Sequence, residues 1–253
     1  MPNMSTFAVL MHVGFRESYV PLCVFAVKQL KTIHPEISVV IVVDEKFYNG
    51  LHETFADCLD KVHIMPVENA LTLQSVLLRK TDLLRLTHSI LVKYNTILYL
   101  DCDLVVLRRL DDWVSQIESG KMGLLHVSPE GSKDSIWHMP RTFCATALPD
   151  SILTFNNGIM GFRMHESIVH FFDSVKTLSN EFPGETSDQV YFNVVANQKG
   201  KVCTSLPPSA IASGVQYDNV VVISPQALFA HALGLGNTPE QKLRGMKRAI
   251  NLM

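Results

Sequence analysis

Two aspartates, Asp101 and Asp103, have the clearest chemical potential in this sequence. They follow the short apolar run Ile97–Leu100, which is typical of a buried strand. Side chains at positions i and i+2 of an extended chain project to the same side. Two carboxylates on one side of a strand end can share a hard divalent cation and leave its other positions to water and phosphate oxygens. The pair therefore indicates an enzyme that uses a metal to handle a diphosphate.

The same two residues also have a purely structural interpretation. An aspartate after a strand often caps the following turn or helix, and a single short pattern is frequently matched by chance. Taken alone, the pair leaves metal binding and a structural role equally open.

Composition and charge limit the class of protein. The chain has 253 residues, of which 47% are hydrophobic, and a formal net charge of −2. This length is sufficient for one large α/β domain or two closely packed halves. The small net charge gives no electrostatic reason to expect nucleic acid as the main partner.

The cysteines and the hydropathy pattern predict a cytoplasmic protein. The five cysteines are odd in number and widely spaced, without a CxxC pair, which favours free thiols in a reducing compartment. No apolar run approaches the about 18 residues that a membrane span needs. The residues from Met1 to Phe15 lack the basic segment of a secretory signal.

Strand and helix patterns alternate in the first half of the chain. A repeated βαβ pattern predicts a mostly parallel sheet with right-handed crossovers. Ligands bind such sheets beyond the carboxyl ends of the strands, which is where the aspartate pair lies. The predicted strands are Thr6–Val13, Ile37–Val43, Lys61–Met65 and Thr96–Leu100, and the predicted helices run from about Ser18 to His34, Asp44 to Leu59 and Thr72 to Lys93.

The second half is less regular. The segment from Val127 to Asp150 lacks clear periodicity, which predicts a functional loop on the acceptor side. We expect one domain over residues 1–253, with a nucleotide-binding half at about 1–118 and an acceptor-side half at about 119–253. Further predicted strands are Met122–His126, Phe155–Phe162 and Val220–Ile223, and further predicted helices are His165–Leu178, Asp188–Ala196 and Pro239–Leu252.

Five segments follow one another in a further pattern: Ser18–Pro21, Leu83–Asp103, Phe155–Met160, Ser187–Gln189, and His231 with Gly234. Together and in this order they resemble glycosyltransferase family 8, the group of glycogenin and bacterial galactosyltransferases. In the core pattern of that family, a basic residue and a leucine are followed by a helix, then by an apolar strand, and then by the DxD motif. The resemblance spans nearly the whole chain and implies a GT-A fold, an α/β architecture with a mostly parallel central sheet flanked by helices. The matching segments are Leu83–Asp103 for the DxD core, Phe155–Met160 for FNxGv, Ser187–Gln189 for DQ, His231 with Gly234 for HxxG, and Ser18–Pro21 for the start of the first helix.

The resemblance implies a retaining, metal-dependent transfer of a hexose or pentose from a nucleotide sugar, expected to be a UDP-sugar. Asp101, Asp103 and His231 would be the metal ligands, and the imidazole nitrogen favours Mn²⁺ over Mg²⁺. The acceptor is left open among glycans, proteins, lipids and small molecules. Association into a homo-oligomer is also left open.

The resemblance also assigns roles at the transferred sugar. Asp188 would orient the sugar and stabilise positive charge at its anomeric carbon, and Gln189 would lie near that carbon. Asn156 and Asn157 could hydrogen-bond sugar hydroxyls. Glu185 stands where glycogenin-like members have aspartate, so the sugar selectivity could differ.

Basic and aromatic side chains are assigned to the nucleotide. Arg85 stands where the family has a basic residue facing the donor, and a guanidinium can bind phosphate through two hydrogen bonds. Tyr19 could stack on the base. The family's late lysine is Asn237 here, and Lys242 is the expected replacement among the tail-helix candidates Lys242, Arg244 and Lys247.

Each motif taken singly has a simpler explanation. Asn157-Gly158 is a strong signal for a type I′ hairpin turn. Thr186 and Gln189 have the spacing of a helix capping box, and His231 could be an ordinary strand-end histidine. The order of the motifs and their spacing from the aspartate pair favour function.

Two other functions remain as alternatives. A phosphohydrolase of the haloacid dehalogenase type also has a D-x-D nucleophile, although that motif normally follows the first strand. A catalytically silent nucleotide-sugar-binding protein would keep the binding residues without turnover. A paired-carboxylate glycosidase fits less well, because adjacent aspartates do not flank a glycosidic bond.

Overall fold

The protein is described by a computed structural model that covers residues 7–14, 16–132, 153–182, 188–199, 203–213, 223–232 and 238–252. In its first part, strands and helices alternate as predicted. The elements are β1 Phe7–Val13, α1 Val20–Ile33, β2 Ser38–Asp44, α2 Glu45–Thr54, β3 Val62–Val67, α3 Leu73–Arg79, α4 Leu83–Leu91 and β4 Thr96–Leu100.

Six strands and four helices follow in the described part of the chain. None of the helices in the described ranges is long and apolar enough to cross a membrane. The elements are β5 Leu104–Val106, α5 Asp111–Ser119, β6 Leu125–Ser132, β7 Leu153–Arg163, α6 Glu166–Glu181, α7 Asp188–Lys199, β8 Cys203–Ser205, β9 Ile211–Ser213, β10 Phe229–His231 and α8 Pro239–Asn251.

The central sheet has seven strands in the order β3-β2-β1-β4-β7-β6-β8. The first four are parallel, whereas β7 is antiparallel to both β4 and β6. A smaller sheet has the order β5-β10-β9. The prediction of a mostly parallel α/β sheet flanked by helices is therefore confirmed. The chain passes from β1 outward to β2 and later returns to β4 on the other side of β1, so the strand order reverses between β1 and β4.

Helices cover the sheet on both faces because its central strands are apolar on both sides. In β2, Val39, Ile41 and Val43 belong to one core cluster, which includes residues of α1. Val40 and Val42 belong to the other, which includes residues of α4 and α6. A continuous β-branched run is what a strand buried on both faces requires.

The helix predicted from Thr72 to Lys93 is interrupted. A 3₁₀ turn, Lys80–Asp82, separates α3 from α4. Lys80 is only 5% exposed and its ammonium lies between the carboxylates of Asp101 and Asp188. Sequence periodicity does not reveal this break, because the side chains that bind Lys80 come from distant parts of the chain.

The strand predicted at Phe155–Phe162 is confirmed by β7, and Asn157-Gly158 lies inside it, so the simpler explanation of these two residues as a hairpin turn does not apply. Among the described glycines, Gly123 has a positive φ. One further expectation was wrong. The loop predicted from Val127 begins later, since β6 continues to Ser132 and pairs with β7. The rest of that loop, and most of the strand predicted at Val220–Ile223, lie outside the described residues.

We expect Gly161→Ala to destabilise the protein by about 1–3 kcal/mol, because overpacking forces side chains and backbone to shift. A Cβ at Gly161 in β7 would lie 2.6 Å from Ile117 Cδ1 and 2.7 Å from Trp113 Cζ2 of α5. Chemical denaturation measures the free energy of unfolding. The matched control is Gly50→Ala in α2, where a Cβ meets nothing within 4 Å and helix propensity should raise stability by about 0.5–1 kcal/mol. Equal stability changes in the two variants would contradict this account of β7 packing.

Candidate active site

A turn at the carboxyl end of β4 carries the aspartate pair. The backbone N–H of Leu104 donates to the carbonyl of Asp101 at 3.2 Å. The two side chains are therefore not on one side of an extended chain, as the spacing had suggested. The turn nevertheless keeps the two carboxylates close together. The Asp101 side chain is 30% exposed, and the Asp103 side chain is 12% exposed.

Asp103 lies between a histidine and a lysine. His231 Nε2 is 3.3 Å from Asp103 Oδ1, and Lys242 Nζ is 2.5 Å from Asp103 Oδ2. Burial opposes ionisation of Asp103, but the hydrogen bond with His231 and the charge of Lys242 hold its pKa well below the usual range. The pairing of β10 with β5, which places His231 opposite Leu104, brings the histidine to this position.

Asp101, Asp103 and His231 could hold a metal ion. One ligand atom from each residue can be chosen so that all three lie within 4.8 Å of one another. Two carboxylate oxygens and an imidazole nitrogen suit a cation such as Mn²⁺. They suit Mg²⁺ less well, because Mg²⁺ prefers oxygen ligands. The donor set fits the predicted metal.

Lys80 is the main site residue that sequence reasoning missed. Its Nζ is 3.2 Å from Asp101 Oδ1 and 3.2 Å from Asp188 Oδ2, and it lies 4.9 Å from the centre of the Tyr99 ring. Burial alone would lower the pKa of Lys80, but the two carboxylates outweigh it and raise the pKa to about 12. One signal was available, since Lys80 lies four residues before the buried Leu84 and so shares its helical face.

Asp188 begins α7 and is nearly fully buried. Asn157 in β7 donates its side-chain N–H to Asp188 Oδ2 at 2.7 Å. Asn193, one turn further along α7, accepts a hydrogen bond from the N–H of Phe155 and donates one to its carbonyl, each at 2.9 Å. These bonds dock the start of α7 against β7 and point Asp188 towards Lys80.

Close backbone approach orients Asp101. Its N–H donates to the carbonyl of Gly158 at 2.8 Å, and Tyr99 donates its hydroxyl proton to Asp101 Oδ1 at 2.6 Å. A Cβ at Gly158 would lie 2.5 Å from Asp101 Oδ2. Only glycine at this position leaves room for the carboxylate. Asn156 accepts a hydrogen bond from the N–H of Gly158 at 2.7 Å.

The other described residues predicted from the sequence lie at different distances from the cluster of aspartates and lysines. The Tyr19 ring is partly buried, and its centre lies 5.8 Å from Lys242 Nζ. Gln189 follows Asp188 in α7 and is half-buried. Arg85 is not part of this cluster, because its side chain is 70% exposed and pairs with Asp82 at 3.3 Å. Glu185, Gly234 and Asn237 lie outside the described residues.

No protein-family model and no curated protein sequence matches this chain. Solved structures do match. A glycosyltransferase involved in the glycosylation of the major capsid of PBCV-1 superposes with a TM-score of 0.59 at 14% identity, covering 96% of this chain and 100% of that one. The galactosyltransferase LgtC, in complex with donor and acceptor sugar analogues, gives 0.64 at 12% identity, with 95% of each chain covered.

Mouse xyloside xylosyltransferase 1 is also similar, with a TM-score of 0.59 at 15% identity, and the match covers 92% of this chain and 99% of that one. Identities this low establish the fold alone. The protein therefore has the GT-A fold, and its function must be argued from the site.

We expect Gly158→Ala to weaken Mn²⁺ binding by about tenfold or more, because a residue that orients a metal ligand usually contributes that much to affinity. The new methyl group would displace the Asp101 carboxylate. Isothermal titration calorimetry with Mn²⁺ measures the change. Gly161→Ala is the control, since it overpacks the same strand away from Asp101. Parent-like Mn²⁺ affinity in Gly158→Ala would contradict the assigned role of Asp101.

Proposed function

We propose that this protein is a metal-dependent glycosyltransferase that moves a hexose or pentose from a nucleotide sugar, expected to be a UDP-sugar, to an acceptor. One observation carries the proposal. The metal-ligand set of Asp101, Asp103 and His231 adjoins the Lys80–Asp188 pair where the strand order of a GT-A sheet reverses. Ligands of open α/β sheets bind at that point.

We further propose that the chain acts as one domain. Asp101 and Lys80 belong to the nucleotide-binding half at about 1–118, whereas Asp188, His231 and Lys242 belong to the acceptor-side half. The contacts between these groups support a single site built by both halves.

Asp101, Asp103 and His231 would hold the metal. A bound Mn²⁺ or Mg²⁺ supplies Lewis-acid stabilisation of the negative charge on the departing diphosphate. The protein fixes the ligand geometry in advance, because Tyr99 and Gly158 orient Asp101 while the β5–β10 pairing places His231 beside Asp103.

Two lysines are positioned to complement phosphate charge. Lys242 lies beside Asp103 and near Tyr19, so its ammonium can move from the carboxylate to a bound phosphate while Tyr19 packs on the nucleotide. Lys80 takes the role that sequence reasoning gave to Arg85, because it is the basic side chain that reaches Asp101. Preorganised cations stabilise developing charge most effectively when they are shielded from water.

Asp188 would act on the transferred sugar. The hydrogen bond from Asn157 and the ion pair with Lys80 hold its carboxylate in one orientation. There it can accept hydrogen bonds from sugar hydroxyls and stabilise positive charge at the anomeric carbon. Gln189 follows Asp188 in α7. Asn156 precedes Asn157 in β7. Retention of configuration follows from the family resemblance and is part of the proposal.

A panel of UDP-, GDP- and TDP-sugars, each with and without Mn²⁺, tests the proposal in a thermal-shift assay, because a ligand of the native state raises the melting temperature. We expect a Mn²⁺-dependent shift with UDP-sugars, and slow donor hydrolysis. Release of inorganic phosphate from phosphate monoesters, with no shift in the panel, would favour the hydrolase alternative. A Mn²⁺-dependent shift without donor hydrolysis or transfer would favour a silent binding protein.

We expect Asp103→Ala to abolish Mn²⁺-dependent binding of UDP, since it removes a metal ligand and leaves Lys242 and His231 without their carboxylate. Calorimetric titration of UDP with and without Mn²⁺ measures this loss. Asp60→Ala, at an exposed position, is the control. Unchanged affinity in Asp103→Ala under both conditions would refute the metal assignment.

We expect Asp188→Asn to keep UDP binding and lower turnover by about 100-fold or more, which is the usual scale for losing a charge-stabilising group. Asparagine preserves the shape but not the charge. Initial rates of donor hydrolysis and UDP titration give the two readouts, with Asp173→Asn on α6 as control. Turnover at the parent rate would mean that Asp188 only begins a helix.

A further inference from the structure

Two adjacent basic residues, Arg79 and Lys80, bind carboxylates at the carboxyl ends of two different strands. Arg79 pairs with Asp44 at the end of β2, and Lys80 pairs with Asp101 beyond β4. The strand between them is β1, whose residue His12 is buried. The 3₁₀ turn that begins at Lys80 therefore spans the carboxyl ends of three neighbouring strands.

Asp44 is fully buried and uses both carboxylate oxygens. Its Oδ1 pairs with Arg79 Nη1, and its Oδ2 accepts the N–H of Ala70 at 3.1 Å. The second arm of the guanidinium, Nη2, donates to the carbonyl of Glu68 at 2.6 Å. The forked Arg79 side chain thus joins the end of β2, residues 68–70 and the last turn of α3 at one point.

Lys80 needs such an anchor because a long, flexible lysine side chain loses rotamer entropy when it is held in one position. Its ammonium is held at 3.2 Å from two carboxylates that come from β4 and α7. Arg79 is the residue immediately before it, so fixing Arg79 fixes the start of the 3₁₀ turn. His12 adds no third positive charge beside these cations, because burial, with help from Arg79, lowers its pKa to about 3.

We propose that Asp44 and Arg79 form a positioning pair, which sets the start of the 3₁₀ turn so that Lys80 bridges Asp101 and Asp188. The consequence for sugar transfer rests on the proposed function. The position of Lys80 itself does not, and it can be measured without a substrate.

Amine labelling with acetic anhydride, followed by mass spectrometry, tests the position of Lys80. The main variant is Asp44→Asn with Arg79→Met, because removing both members leaves no unpaired buried charge and so spares the fold. Arg79→Lys is a second variant that keeps the charge but loses the fork. Lys93 is an exposed reference, and Lys242 is a partly buried reference in the same site.

We expect Lys80 to be labelled about tenfold faster in the double variant, relative to Lys93, because labelling of a buried amine follows the population of the form in which it is exposed, and release from its two carboxylates raises that population. Arg79→Lys should show a smaller increase, and Lys242 should keep its parent rate. Parent-like protection of Lys80 would overturn the proposal. An equal increase at Lys242 would also overturn it, since the pair would then only brace the whole fold.

A double-mutant cycle links the position to activity. Donor hydrolysis is measured in the parent and in Lys80→Met, each with and without the pair substitutions. If the pair acts through Lys80, its fold-loss in kcat disappears in the Lys80→Met background; an unchanged fold-loss would overturn that link. If Lys80→Met hydrolyses donor at the parent rate while the labelling result holds, the proposed role of Lys80 fails and the positioning pair stands.

Discussion

The buried ammonium of Lys80, shared between Asp101 and Asp188, is the interaction on which the rest of the site depends. It joins the end of β4 to the start of α7, two segments far apart in the chain. Two carboxylates this close would repel each other in a poorly solvated position, and the positive charge between them offsets that repulsion. Removing Lys80 would leave two neighbouring carboxylates without a compensating positive charge.

A second ion pair of the same kind lies on the other side of the aspartate turn. Asp103 is matched by Lys242 from α8 and by His231 from β10, so each aspartate of the pair has its own lysine. The site therefore holds its charges in fixed positions before any ligand arrives. Under the proposed function, such preorganisation would stabilise a departing diphosphate, because no dipoles would need to reorient during the reaction.

The fold and the site support the functional argument in different ways. Solved glycosyltransferases share the GT-A fold at 12% to 15% identity, which says that the sheet and its switch point can hold such a site. The site residues then indicate which chemistry this fold could carry out, since two lysines and three residues that could hold a metal meet where the strand order reverses. Neither observation alone would distinguish a transferase from another α/β protein.

Local signals in the sequence were enough to determine the alternation of strands and helices in the first half of the chain, the place of the aspartate pair after β4 and the polar segment of β7. Hydrophobic periodicity and short motifs can do this because they are properties of neighbouring residues. The break before α4, the turn that carries the aspartate pair and the exposure of Arg85 were decided only by tertiary structure. Lys80 shows why local sequence signals do not reveal such features. A lysine in a helical pattern reads as a solvated residue, and only the arrival of two carboxylates from β4 and α7 makes its burial favourable.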